Sequence, residues 1–338
     1  MAASFVADRP RVFVSRALPG GDGPDSPLAR LRASADVDVW DGGDPPPAEV
    51  LRDRLAGCAG VLTMITERID APTLEAAPHL RVVSNLAVGF DNIDVPACTA
   101  RGVLVTNTPG VVDDATADMA FALLLAAARR LPEGERAIRE GTWGVWHPTW
   151  MIGHQVSGAT LGIVGPGRVA AAVARRAEGF GMRILYHGRR EVPGFPGERV
   201  ELADLLGRSD FVSVHVPLNA ETTGMCNAAF FAAMKPSAIF VNTARGPVVN
   251  QDALLHALQS GVIGGAGIDV MTPEPLPPDH PLLTAPHLVI APHLGTATAE
   301  TRTKMTHLAV GGLLGVLAGD TPANVLNPEA AAVDRSMR

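Results

Sequence analysis

Thr160 to Arg176 reads TLGIVGPGRVAAAVARR, and the rest of the chain is organised around it. Leu161, Ile163 and Val164 make a short apolar run with β-branched residues, the composition of a buried strand. Gly165 ends the run. Gly165, Gly167 and Ala170 then fit G-x-G-x-x-G/A, and the Ala-rich stretch from Val169 to Ala177 has the composition of a helix. Each small residue has its own role. Gly165 allows the tight turn, Gly167 lets backbone approach a pyrophosphate, and Ala170 permits close helix–strand contact. The helix N-terminus, opened by Arg168 and Val169, points free N–H groups at the phosphates. Pro166 is unusual here because it removes one N–H from the loop.

At 338 residues the chain exceeds the ~250–300 at which a single hydrophobic core stops growing, so two domains are expected. A net charge of −7 and the absence of Lys/Arg runs argue against a nucleic-acid partner. Cys58, Cys98 and Cys226 are isolated, with no C-x-x-C, and read as small buried apolar residues in a reducing compartment. The N-terminal stretch MAASFVADRPRVFVS lacks the pattern of a secretion signal, and no run is long and apolar enough to span a membrane. A cytoplasmic protein without a membrane partner is expected. The histidines show no H-E-x-x-H, so no metal is expected, and His280 and His287 read as structural.

Strands are predicted at 11–15, 37–40, 60–64, 81–84 and 103–106, separated by helix-compatible segments, with Pro45-Pro46-Pro47 opening one helix. This alternation implies a parallel α/β layer ending near Thr108-Pro109. Asp113 or Asp114 can cap the next helix, ATADMAFALLLAAARRL, which is apolar nearly all round and is buried in the core or against another subunit. Trp143, Trp146 and Trp150 follow in a Gly/Pro loop, as packing or as a subunit interface, where tryptophan is enriched. A second layer has strands near 160–164, 183–187, 211–216, 239–242, 266–270 and 288–291.

In such sheets ligands bind beyond the carboxyl ends of the strands. The strand RILYH runs into Gly188-Arg189-Arg190, where an NAD site usually carries an acid about twenty residues past the first glycine. No acid stands at His187 or Gly188, and arginine matches a phosphate bidentately. The expectation is NADP(H), with NAD(H) open as a second cofactor; the plainer alternative is a pair of solvated arginines. Arg245, Glu274 and His293 follow three further strands. Taken singly each has a dull explanation; together they make a chemical set. Reduction of a 2-oxo acid needs a cation for its carboxylate, which Arg245 can supply. It also needs a proton donor for the carbonyl oxygen, and an imidazole, titrating near ~6.5, can act at neutral pH. Glu274 would favour the imidazolium and orient it.

Six motifs occur in order: NLAVGFDNID, VTNTPGVVDDATADMAFALLL, LGIVGPGR, FVNTARGPVVNQDAL, GAGIDVMTPEPLP and APHLGTAT. On these the chain resembles the D-isomer-specific 2-hydroxyacid dehydrogenases, most of all the glyoxylate/hydroxypyruvate reductases, from about Arg11 to Pro328. The resemblance implies an α/β fold of two Rossmann-like, doubly wound parallel-sheet domains with a cleft between them. A flavodoxin-like substrate domain would comprise 1–108 and 296–338. A dinucleotide-binding domain would comprise 109–295, including a dimerisation arm at about 109–155. It implies catalysis by Arg245, Glu274 and His293, and a substrate carboxylate bound by Val88 and Gly89 together with Arg245 and His293. The implied cofactor residues are Gly165, Pro166, Gly167, Arg168, Val169, Gly188, Arg189, Arg190, Thr243, Ala244, Arg245, Asp269, His293 and Gly295. It further implies a homodimer in which Trp146 or Trp150 reaches the partner's active site. Pro166 and Ala170 depart from the usual aliphatic residue and third glycine. No added C-terminal regulatory module is expected. The implied activity is NADPH-dependent reduction of glyoxylate and hydroxypyruvate to glycolate and D-glycerate. A larger 2-oxo acid (pyruvate or an aryl pyruvate) and a dinucleotide-sensing interaction protein stand as alternatives.

Overall fold

The computed structural model describes residues 9–21 and 23–333. Met1 to Asp8, part of the stretch read above against a secretion signal, and residues 334–338 of the expected substrate domain lie outside them. The chain divides into two compact units, Met1–Val112 with Ala297–Arg338, and Asp113–Thr296. Both are α/β with parallel sheets.

In the smaller unit the sheet strands are β1 (Arg11–Val14), β2 (Asp36–Val39), β3 (Gly60–Thr63), β4 (Val82–Asn85) and β5 (Leu104–Thr106). They lie in the order β2-β1-β3-β4-β5, all parallel. This is the flavodoxin-like order, whose direction reverses between β1 and β3. The helices of this part are α1 (Pro27–Ser34), α2 (Ala48–Leu55), α3 (Ala71–Glu75) and α4 (Val95–Ala100). The proline run ends at Pro47, which caps α2. Where the order reverses, Glu67 is fully buried. Its carboxylate accepts from Ser15 Oγ (2.5 Å), Thr63 Oγ1 (3.0 Å) and the Met64 N–H (2.7 Å).

The larger unit carries β6 (Thr160–Val164), β7 (Arg183–His187), β8 (Glu198–Arg199), β9 (Phe211–Val214), β10 (Ile239–Asn242), β11 (Gly265–Ile268) and β12 (Leu288–Ile290). Its helices are α5 (Asp113–Ala128), α6 (Leu131–Arg139), α7 (Arg168–Gly179), α8 (Leu202–Arg208), α9 (Ala228–Ala232) and α10 (Gln251–Gln259). The order β12-β11-β10-β9-β6-β7-β8 is the doubly wound arrangement, reversing between β6 and β9. The two-residue edge strand β8 has too short a pattern to be visible in the sequence. A last helix, α11 (Ala299–Ala318), returns to the smaller unit, where Ala309, Val310, Leu313 and Val316 pack with Val12, Val14, Leu62 and Val82.

α5 settles one alternative. Ala117, Ala120, Phe121, Leu123, Leu124 and Ala127 join the core of the larger unit, and at Gly267 of β11 a Cβ would stand 2.8 Å from that of Leu123. The helix also ends at Ala128, before the Arg129-Arg130-Leu131 that close the expected segment. Between α5 and α6 Arg130 adopts a left-handed φ of 53°, and Pro132 lies in the first turn of α6, where its missing N–H would have had no helical partner. Asp113 and Asp114 stand inside the first turn rather than ahead of it, complementing the positive helix end and pairing with Arg168 and Arg176.

Candidate active site

At the reversal between β6 and β9, Gly165 has φ +92°, and a Cβ there would lie 2.8 Å from Val216 Cγ1 and 3.0 Å from the main-chain carbonyl of His215. Only glycine meets both demands. The Gly165 N–H donates to His187 O (2.9 Å), the Gly167 N–H to Gly165 O (2.8 Å), and Pro166 has none to give. The donors left for an anion are therefore those of the first turn of α7, at Arg168 and Val169. On its Cβ side Gly167 meets only open space, and Ala170 is fully buried. Arg168 Nε pairs with Asp113 at 3.0 Å. Beyond β7, Gly188 lies against the Pro166 ring, Arg189 is exposed with Glu221 3.7 Å away, and Arg190 is exposed. Arg199, absent from the sequence expectation, donates to Gly188 O at 3.1 Å.

Three loops of the same unit bring Arg245, Glu274 and His293 together. Glu274 Oε2 lies 2.8 Å from His293 Nδ1, and its Oε1 accepts from the Met271 N–H at 2.8 Å. His293 holds φ 55°, a left-handed conformation that costs free energy in a residue with a Cβ. What holds it is Asp269: the His293 N–H donates to Asp269 O (2.8 Å), and the carboxylate accepts from the Leu294 and Gly295 N–H groups, each at 2.7 Å. Burial raises the Asp269 carboxyl above its ordinary value, more than those two bonds and the His293 charge lower it. For Glu274 burial also works upward. The His293 hydrogen bond, the Met271 N–H and the His293 and Arg245 charges outweigh it and leave Glu274 below the usual carboxylate range. The loop of Arg245 is braced by Asn242, whose Oδ1 accepts from the Ala244 N–H (2.9 Å) and whose Nδ2 donates to Arg245 O (3.0 Å). Thr243 beside it has a buried hydroxyl with no partner among the described residues.

In the smaller unit, Val88 and Gly89 follow β4. Asn85 Nδ2 donates to Gly89 O and Asn107 Nδ2 to Val88 O, both at 2.8 Å. With both carbonyls tied down, the adjacent N–H groups of the loop are left to other acceptors. Neither asparagine stands out in the sequence; their positions at the carboxyl ends of β4 and β5 are the available signal. His215, just past β9, is likewise absent from the sequence expectation. Its ring lies 2.8 Å from Ser213 Oγ, and burial pushes its pKa down to about 4. His280 accepts from the Leu282 N–H, and His287 Nδ1 lies 3.0 Å from Glu133. Among the described residues no group of three or more His, Cys, Asp or Glu could hold a metal ion, and no helix is long and apolar enough to cross a membrane.

The glycine turn pressed on His215, the unspent N–H groups of α7 and the partnerless Thr243 hydroxyl fit a dinucleotide. Residues 121–295 match the D-isomer specific 2-hydroxyacid dehydrogenase, NAD binding domain. The chain is 48% identical over 330 residues to a glyoxylate reductase of Korarchaeum cryptofilum, covering 96% of this chain and 98% of that protein. A solved structure of a Thermus thermophilus protein is similar with a TM-score of 0.88 and 45% identity, covering 94% of this chain and 99% of that one. An NADPH-dependent glyoxylate/hydroxypyruvate reductase from Sinorhizobium meliloti, solved with NADP and malonate, gives a TM-score of 0.81 and 33% identity over 95% of this chain and 98% of that one. The molecule is an oxidoreductase. It belongs to the D-isomer-specific 2-hydroxyacid dehydrogenase family.

Proposed function

We propose that the chain reduces glyoxylate and hydroxypyruvate to glycolate and D-glycerate, with NADPH preferred over NADH. The observation that carries this reading is the Glu274–His293 pair at 2.8 Å, held on a strained turn braced by Asp269 and within the electrostatic reach of Arg245. The glyoxylate reductase names of the relatives support the substrate class. Gly165, Pro166, Gly167, Arg168 and Val169 would hold the pyrophosphate, and Gly188, Arg189 and Arg190 the 2′-phosphate. Thr243, Ala244, Asp269 and Gly295 belong to the loops that would flank the nicotinamide. When bound, that group supplies the hydride that converts a keto carbon to a hydroxy carbon.

The chain's own residues do the rest. In the larger unit Arg245 binds the substrate carboxylate, and in the smaller unit the N–H groups of Val88 and Gly89 are donors suited to a carboxylate. His293 gives the proton on Nε2 to the substrate oxygen as the carbonyl becomes an alcohol. Glu274, on Nδ1, fixes the ring and favours its charged form. Leu131, Ile138, Trp143, Val145, Trp146, Trp150 and Ile152 of the larger unit are all exposed, with Val145 at 82% and Trp146 at 79%. Such an apolar surface suits a second copy of the chain, and we read it as the dimer arm. Three buried free thiols suit the cytoplasm.

Steady-state assays with glyoxylate, hydroxypyruvate, pyruvate and phenylpyruvate, each with NADPH and NADH, test the proposal. The highest kcat/KM is expected for the first two with NADPH. Preference for phenylpyruvate or pyruvate would overturn the substrate, and preference for NADH the arginine clamp.

A further inference from the structure

We propose that Gln251 is a positioning residue for proton transfer, its side-chain amide clamping the loop that presents Glu274 to His293. The inference rests on the roles given to those two residues above. Gln251 is the first residue of α10, whose cap is Asn250. Its Oε1 accepts from the Thr272 N–H at 2.7 Å, and its Nε2 donates to Thr272 O. One side chain thus satisfies both main-chain polar groups of one residue, as a neighbouring strand would.

Thr272 is a critical place to hold. Its predecessor Met271 donates to Glu274 Oε1, and Glu274 stands two residues beyond it. Met271 O is pressed so closely on Gly246 that a Cβ there would lie only 1.9 Å away. Gly246 and Gln251 belong to one short stretch, Arg245 to Gln251, that also carries the guanidinium. That stretch therefore grips residues 271–274 twice, once by close backbone packing and once by the amide. Thr272 itself is exposed. Without Gln251 its N–H and C=O would turn to water, and the loop would lose the tether that keeps Glu274 at 2.8 Å from Nδ1. The charged and titratable groups facing Glu274 are His293, Arg245 and Asp269. Loosening the loop weakens the first two interactions and so weakens support for the protonated ring.

Two variants test this: Gln251→Met, which keeps the length and loses both bonds, and Gln251→Glu, which keeps the acceptor for the Thr272 N–H. The expected result for Gln251→Met is a kcat lowered about tenfold at pH 8 and about threefold at pH 6, with KM and the NADPH dissociation constant within about twofold of wild type. Gln251→Glu should fall between. In the cofactor-free protein, carboxyl NMR should show the Glu274 midpoint moving up by about half a unit or more in Gln251→Met. An unchanged kcat and an unchanged Glu274 midpoint would overturn the inference. So would a loss equal at both pH values and shared by KM, which a merely structural residue would give. His293→Ala separates the two levels. If it leaves kcat intact, the proposed chemistry fails. If it abolishes turnover while Gln251→Met does not lower it, only the clamp fails.

Discussion

Pro166 and Gly188 compete for one volume: a Cβ at 188 would stand 2.6 Å from Cδ and 2.7 Å from Cγ of the proline ring. The ring is rigid and cannot yield as a flexible side chain would. Position 188 is where a carboxylate selecting the unphosphorylated ribose would be expected, so the proline closes that position to any side chain. Gly188→Asp should therefore weaken NADPH binding by tenfold or more without gaining NADH, on the order of a lost charge-assisted contact plus overpacking. Pro166→Ala with Gly188→Asp should recover NADH binding. Fluorescence titration of the single and double variants checks this, and NADH binding by Gly188→Asp alone would refute it.

His293→Ala should lower kcat at least a hundredfold while leaving NADPH binding nearly unchanged, the usual magnitude for losing a positioned acid. Glu274→Gln should cost less, because the ring keeps a hydrogen-bond partner and loses only its charge. Single-turnover rates compared with cofactor binding separate the two roles. A loss confined to KM would remove the acid assignment.

Asn85→Ala and Asn107→Ala each free one carbonyl of the Val88–Gly89 loop. The expected effect is a roughly tenfold rise in KM for glyoxylate with a smaller change in kcat, since a ground-state anion contact is disordered rather than the proton transfer. Unchanged KM in both variants would show that the loop holds its shape without them.

His215 gives a stability signature with a definite sign. Its folded pKa, near 4, is below the ordinary value of 6.5. Between those values the unfolded chain binds a proton that the folded chain refuses, so stability present above about pH 6.5 is lost as the pH falls toward 4. Thermal unfolding from pH 7 to 4.5 should show a fall in Tm that is smaller by a few degrees in His215→Gln. Identical curves would mean that the ring titrates normally in the folded protein.

Trp146→Ala combined with Val145→Asp should shift the protein from dimer to monomer in sedimentation velocity, because it removes exposed apolar area and puts a charge in its place. A wild-type monomer would dispose of the arm reading.

Much of the architecture is readable because its signals are local. Apolar runs bounded by glycine place nearly every strand within a residue or two, and the Gly165–Gly167–Ala170 turn marks where the larger sheet reverses. Arg245, Glu274 and His293 are visible because each follows a strand, and carboxyl ends of parallel strands share one edge. What supports them is not visible. Asn107 and Gln251 act through main-chain bonds to residues brought near by the fold, Asn242 and Asn85 through bonds inside their own loops, and their types carry no chemistry of their own. The clash of Pro166 with Gly188 joins two separate loops, which no periodicity can report. The break at Arg130 is easily missed because Leu131 resumes the apolar pattern, and Arg129-Arg130 with Pro132 are its local signs.

With Glu67 lodged between the carboxyl ends of β1 and β3, the smaller sheet carries its own anion where a doubly wound sheet would otherwise receive one from outside. Titration with NADPH should accordingly reach its end point at one equivalent per polypeptide. A nucleotide-like inhibitor would then have a single target on each chain, despite the chain's two sheets of kindred design.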